Sequence, residues 1–200
     1  MTNDEYQVFV NAAERPAPYV TRSVWKGYGL IHKYAAAKRF LWREGRFPPG
    51  RAAHPVVLVL PRATRRPSAR GGGGGRAAGF ACPPSRNGKK RRGGRTAGTS
   101  PGGMSSTRTA STATTAGPST PCRCGRYPSG ASPHGVFDMA GMVFEWTSTP
   151  AEWDKKLYVV KGGSWDDFPG VTRPAARHGR PAPIKHILIG FRCAGRAPPE

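Results

Sequence analysis

Two adjacent carboxylates, Asp166 and Asp167, follow a Gly162-Gly163-Ser164-Trp165 turn in the last third of this chain. Such a pair can help to hold a cation, yet calcium wants six or more oxygens drawn from several segments. A solvated loop is the commoner setting for two carboxylates beside a Gly-Gly turn. Thiols are the second candidate chemistry, with cysteines at Cys82, Cys122, Cys124 and Cys193. Cys122 and Cys124 form a lone Cys-x-Cys, a poor zinc signature because a structural site needs four ligands at paired spacings. The third candidate is the run of cations from Arg62 to Arg95. A phosphate backbone would accept it without sequence specificity, which makes a basic nucleic-acid-binding protein the alternative reading. Only Phe80 interleaves the run, so it offers little stacking to single strands.

These groups need elements to position them. Thr2-Asn3-Asp4-Glu5 reads as a capping box, followed by Tyr6, Phe9 and Val10 on one helical face. Ile31 to Arg43 is helix-capable, with Ile31, Tyr34, Ala35, Leu41 and Trp42 as a rough apolar stripe that reads as core. Gly45 to Gly50 is a turn-rich loop. Val143 to Thr147 reads as a short extended segment, and Leu157 to Val160 as a strand ending at the Gly162-Gly163 turn. Ile187 to Cys193 is a further strand candidate, with Ile187, Ile189, Phe191 and Cys193 alternating onto one face.

Two hundred residues suit one domain with a real core. The net charge of +21 is concentrated: Arg62 to Cys124 holds thirteen Lys or Arg and no acid, while all eleven Asp and Glu lie outside it. With few large apolar residues, that stretch cannot offset its ordering entropy and is expected to be disordered. Its charge makes non-specific polyanion binding an expectation. No apolar stretch is long enough to span a bilayer, so no membrane partner is expected. No basic-then-apolar secretory signal opens the chain, and the compartment is not legible.

Three blocks carry a resemblance. They are Gly135 to Thr147 (G-V-F-D-M-A-G-M-V-F-E-W-T), Val159 to Asp167 (V-V-K-G-G-S-W-D-D) and Ile189 to Ala194 (I-G-F-R-C-A). In this order and spacing they resemble the formylglycine-generating enzyme family, also called the sulfatase-modifying factor domain. Thr2 to Val10 is similar to a family helix, V-T-N-x-E-Y-x-x-F-V, that normally follows a substantial N-terminal portion, so the first strands are expected to be missing. The resemblance implies an α+β, C-type-lectin-like fold with short strands and much irregular chain. Residues 1–57 would be its N-terminal part and residues 125–197 its C-terminal part, with 58–124 between them unlike the family as written.

That middle stretch fits the family in another frame. A new codon can be formed from the third base of each preceding codon and the first two bases of the present one. Over Ala81 to Gly94 the genetic code then permits R-L-P-T-E-P-E-W-E-K-A-A-R-G, and over Thr96 to Thr107 D-G-R-H-F-P-W-G-D-E-F-D. Both are family motifs. The reading implies two compensating frameshifts, one near Leu58 and one near Cys124.

The resemblance also implies site chemistry. Formylglycine-generating enzymes oxidise a substrate cysteine with copper held by a cysteine pair just after the Gly-Gly-Ser-aromatic turn. No cysteine lies between Arg126 and Arg192, so no copper is expected. A protein or peptide substrate is implied, and related branches include non-haem iron sulfoxide synthases. The family motif residues here are Gly162, Gly163, Ser164, Trp165, Glu145, Trp146, Gly190, Phe191, Arg192 and Cys193. Cys193 resembles a structural cysteine and is expected to be a buried, inert thiol. Glu145 is the remaining candidate for a structural calcium site, where Met142 replaces the family's asparagine. Arg173, Arg177 and His178 match an R-x-A-A-R run, read first as salt-bridged scaffolding.

Overall fold

Helix α1 (Asn3–Ala12) begins where the capping box puts it. Glu5 N–H donates to Thr2 Oγ1 at 3.3 Å, and Thr2 N–H donates back to Glu5 Oε2 at 2.7 Å. The computed structural model describes residues 1–61, 120–132 and 135–193. The disorder expected of the middle stretch, and the Arg62–Arg95 run, fall largely outside the described residues.

Tyr6 and Val10 are buried from α1, and the Tyr6 ring meets Trp42 and Phe191 edge-on. Asn3 ties the helix start to its surroundings. Its Nδ2 donates to the carbonyls of Arg51 and His54, and its Oδ1 accepts from Trp42 Nε1. Helix α2 (Arg22–Gly27) is capped by Thr21, and α3 (Tyr34–Ala37) runs into a 3-10 turn, Lys38–Phe40. The long helix expected over Ile31 to Arg43 is therefore one short turn and a bend. Ile31 is 98% exposed, and the buried face is Ala37, Phe40, Leu41 and Trp42 instead. Leu41 has extended dihedrals, so bulky core residues end the helix by packing rather than by a breaker.

Four strands follow: β1 (Phe144–Pro150), β2 (Leu157–Lys161), β3 (His178–Pro181) and β4 (Ile189–Gly190). Among the described residues they form one mixed sheet in the order β3-β2-β1-β4. β1 runs antiparallel to β2 and parallel to β4. The expected strand from Ile187 to Cys193 is only two residues long in the ladder. Both of its faces are buried, Leu188 as well as Ile187 and Ile189, so the alternation seen in sequence does not mark a solvent face.

The segment Val56–Val59 is buried against the sheet. Leu58 N–H donates to His186 O, and the Trp146 indole N–H donates to Val59 O at 2.9 Å. Packing thus continues past residue 57. Leu58 sits at φ 62° while 1% exposed, a left-handed conformation that an L side chain adopts only when its surroundings hold it there. The architecture is the α+β, C-type-lectin-like fold with short strands and few helices that the motifs imply. Among the described residues, no helix is long and apolar enough to cross a membrane.

Candidate functional site

The Gly-Gly turn leaves β2 with both glycines at positive φ, 103° and 67°. A Cβ on Gly163 would lie 2.7 Å from Thr172 Cγ2, so the turn needs glycine for space as well as conformation. Gly141 N–H donates to Gly162 O, and Trp165 N–H to Met142 O, which fastens the turn to the loop before β1. Ser164 is fully buried, and its N–H and Oγ both donate to Asp167 Oδ2. Asp167 therefore serves as a local cap on the turn.

Asp166 points elsewhere. Its Oδ2 lies 2.9 Å from His32 Nε2, a contact between the turn and the loop between α2 and α3. The His32 ring packs near Trp165 and crosses His186 edge-on at 5.6 Å. His186 is buried beneath Trp25, and its Nδ1 accepts the Leu188 N–H at 3.0 Å. Burial, with His32 and Arg180 nearby, pushes the His186 imidazole down to about 4, so it is neutral at ordinary pH. The Trp165 indole N–H is buried with no hydrogen-bond partner among the described residues.

Beneath the turn, Lys161 is 1% exposed at the end of β2. Its Nζ donates to the carbonyls of Pro174 and Ala176 at 2.7 and 3.1 Å, so a buried ammonium fastens the following loop to the sheet. Arg177 pairs with Glu152 at 2.9 Å, and Arg173 Nε donates to Gly170 O. His178 packs on Phe144, with its imidazole lowered by burial. These contacts are scaffold contacts.

Glu145 and Arg192, on neighbouring strands or just beyond them, form an ion pair at 2.6 Å. Arg192 also donates to the carbonyls of Phe137 and Asp138. Burial opposes its charge most strongly, but Glu145, Asp138 and Cys124 together outweigh it and hold the guanidinium above its ordinary range. Glu145 Oε1 is thus engaged by a cation of the chain itself. Among the described residues, no group of three or more His, Cys, Asp or Glu is arranged to hold a metal.

The thiols Cys122, Cys124 and Cys193 are free and half-buried. Burial raises all three, Cys124 to about 11, so they are protonated and unreactive at neutral pH. Cys122 Sγ lies 3.7 Å from Met142 Sδ. Cys82 is outside the described residues.

The motif residues thus separate into a turn group, Gly162 to Trp165, and a scaffold group, Glu145, Trp146, Gly190, Phe191, Arg192 and Cys193. The structure adds three residues that sequence reasoning missed. His32 carries no motif. Lys161 and His186 did leave a signal, each being a polar residue directly abutting a short apolar run, L-Y-V-V-K and H-I-L-I.

A model of the "Sulfatase-modifying factor enzyme 1-like domain" matches residues 70–197. Two curated relatives are hercynine oxygenases. That of Mycolicibacterium smegmatis is 33% identical over 95 residues, which cover 37% of this chain and 22% of the relative. That of Mycobacterium tuberculosis is 31% identical over 91 residues, covering 37% and 21%. The chain therefore spans under a quarter of the length of these relatives. Among solved structures, PvdO from Pseudomonas aeruginosa aligns at a TM-score of 0.68 and 16% identity, covering 96% of this chain and 76% of that one. CarF aligns at 0.56 and 17% identity, covering 86% and 82%. At these identities the likeness concerns the fold.

Proposed function

Because the chain belongs to the sulfatase-modifying factor enzyme 1-like family, we propose that it is a member without the copper cysteine pair, and that it does not generate formylglycine. The observation that carries this reading is the donor set after the Gly-Gly turn. Ser164, Asp166 and Asp167 stand there, and no cysteine occurs between Arg126 and Arg192. Monovalent copper selects soft thiolate and thioether ligands, and carboxylates do not replace them. Asp167 is already bonded to Ser164, and Asp166 to His32. The residues present do not fit the metal, so no oxidation step runs through it here.

What the turn group does is hold shape. Asp167 caps the turn, Lys161 fastens the loop behind it, and Asp166 with His32 joins it to the helical side. The reading is of a rigid scaffold that presents a surface for a protein or peptide partner. The oxygenation named for the hercynine oxygenases is not carried over, since under a quarter of those proteins is matched. The same reading takes residues 58–124 as family sequence written out of frame, supported by the two hidden motifs over Ala81–Gly94 and Thr96–Thr107.

The test is direct. The purified chain is incubated with a cysteine-containing sulfatase peptide, copper and oxygen, and aldehyde is trapped and measured by mass spectrometry. The thiol is expected to return intact. Aldehyde above a no-enzyme control would overturn the reading.

A further inference from the structure

A cleft of about 640 Å³ opens between α2 and α3. Four cations line it: Arg22 and Lys26 on α2, Lys33 at the start of α3, and Lys38 at its end. None has a side-chain hydrogen bond or ion pair with another described residue. The segment 62–119 contains no Asp or Glu, so it holds no carboxylate that could neutralise them. Among the described residues, Asp166 is paired with His32 on the cleft wall.

Apart from His32, the rest of the lining is Trp25, Leu30, Tyr34 and Ala35, and both aromatic residues are held in place. Trp25 is 3% exposed, and its indole N–H donates to His32 O at 2.8 Å. The Tyr34 hydroxyl donates to Val20 O at 3.2 Å. Both aromatic residues have their polar ends satisfied by the protein, so neither has to find a new partner when a ligand arrives. Four like charges around one concavity repel one another, and a concave low-dielectric wall focuses their field on an anion. An anion with two or more negative charges removes that repulsion. The aromatic lining favours one that also carries an apolar body.

We propose that this cleft binds a small organic polyanion, a phosphate ester or a polycarboxylate, with its charged end among Arg22, Lys26, Lys33 and Lys38. The inference is independent of the copper reading, because the cleft is built from residues 22–38 and not from the Gly-Gly turn.

Isothermal titration of the full chain at physiological salt tests it, with ADP as the phosphate probe and citrate as the carboxylate probe. At least one is expected to bind, and which one identifies the source of the charge. A double variant, Arg22→Gln with Lys33→Gln, is expected to weaken binding by about tenfold or more. A control pair outside the cleft, Lys155→Gln with Lys156→Gln, removes the same charge and is expected to leave affinity unchanged. All four residues are exposed, so both variants are expected to fold, and thermal melting checks this. Equal weakening in the two double variants would mean diffuse charge attraction and would overturn the proposal, as would failure of both probes to bind the unmodified chain.

Discussion

Gly190 and His186 show how single residues in this fold are constrained by what lies within a few ångströms. A Cβ added at Gly190 would lie 2.5 Å from the Val56 carbonyl oxygen. The obstacle is backbone, so it cannot rotate away. Gly190→Ala is expected to destabilise the protein by about 1–3 kcal/mol, read from urea denaturation. An unchanged midpoint would mean that Val56 does not pack on β4 as described. His186 makes a different prediction. Its folded value of about 4 lies below the ordinary 6.5. Between those values the unfolded chain takes up a proton that the folded chain refuses. Stability therefore falls as pH drops from about 6.5 toward 4, by up to about 3 kcal/mol from this group. His54 and His178 are also lowered by burial and add in the same direction. His186→Asn, which keeps an acceptor for the Leu188 N–H, is expected to flatten the melting temperature against pH across this window. A slope equal to that of the unmodified chain would assign the effect to other groups.

At the scale of elements, the turns were legible where glycine marked them and less so where other residues hold the same conformation. The Arg43–Arg46 turn closes with two reciprocal backbone bonds of 2.9 Å. Its central pair, Glu44 and Gly45, has φ of 51° and 73°. Both positive values fit the two-residue hairpin turn that favours Asn-Gly. Glu44→Asn is expected to raise stability by up to about 1 kcal/mol, measured as a shift in the denaturation midpoint. The α1 boundary was readable because a capping box is a local device, set by Thr2 and Glu5 alone. The helix over Ile31 to Arg43 was misjudged for the opposite reason. A stripe of Ile31, Tyr34 and Leu41 satisfies the helical period, but the ends of that stretch answer to partners far along the chain. Trp42 bonds to Asn3, and His32 to Asp166. The strand around Ile189 was legible as extended, while its length was not. The ladder is set by Phe144 and Glu145 of β1, which pair with only two of its residues.

At the scale of the molecule, the fold class followed from three motif blocks because each is a set of contacts rather than a composition. The Gly-Gly turn needs glycine against Thr172, the Glu145–Arg192 pair joins the β1 and β4 blocks, and Trp146 reaches Val59, 87 residues away in the sequence. The candidate site was only partly legible. Asp166 was identifiable as a polar group beside the turn, but its partner, His32, lies 134 residues away and belongs to no motif. The cations of the cleft are ordinary surface residues until α2 and α3 bring them around one cavity. Net charge at this scale is unevenly placed. Thirteen of the chain's cations fall in one stretch, Arg62 to Cys124, which we propose to be family sequence written in a different frame.

The central claim is that the missing copper ligands are a property of the parent protein and not a consequence of the shifted stretch. The most direct measurement uses a chain in which residues 58–124 are replaced by the sequence of the hidden frame, leaving the segment from Arg126 onward as it stands. This protein is incubated with a cysteine-containing sulfatase peptide, copper and oxygen, and the peptide is read by mass spectrometry. The account predicts that the peptide keeps its thiol even though the domain is restored. Conversion of that cysteine to an aldehyde above the no-enzyme control would contradict it, because a competent site would then exist without cysteines after the Gly162–Trp165 turn.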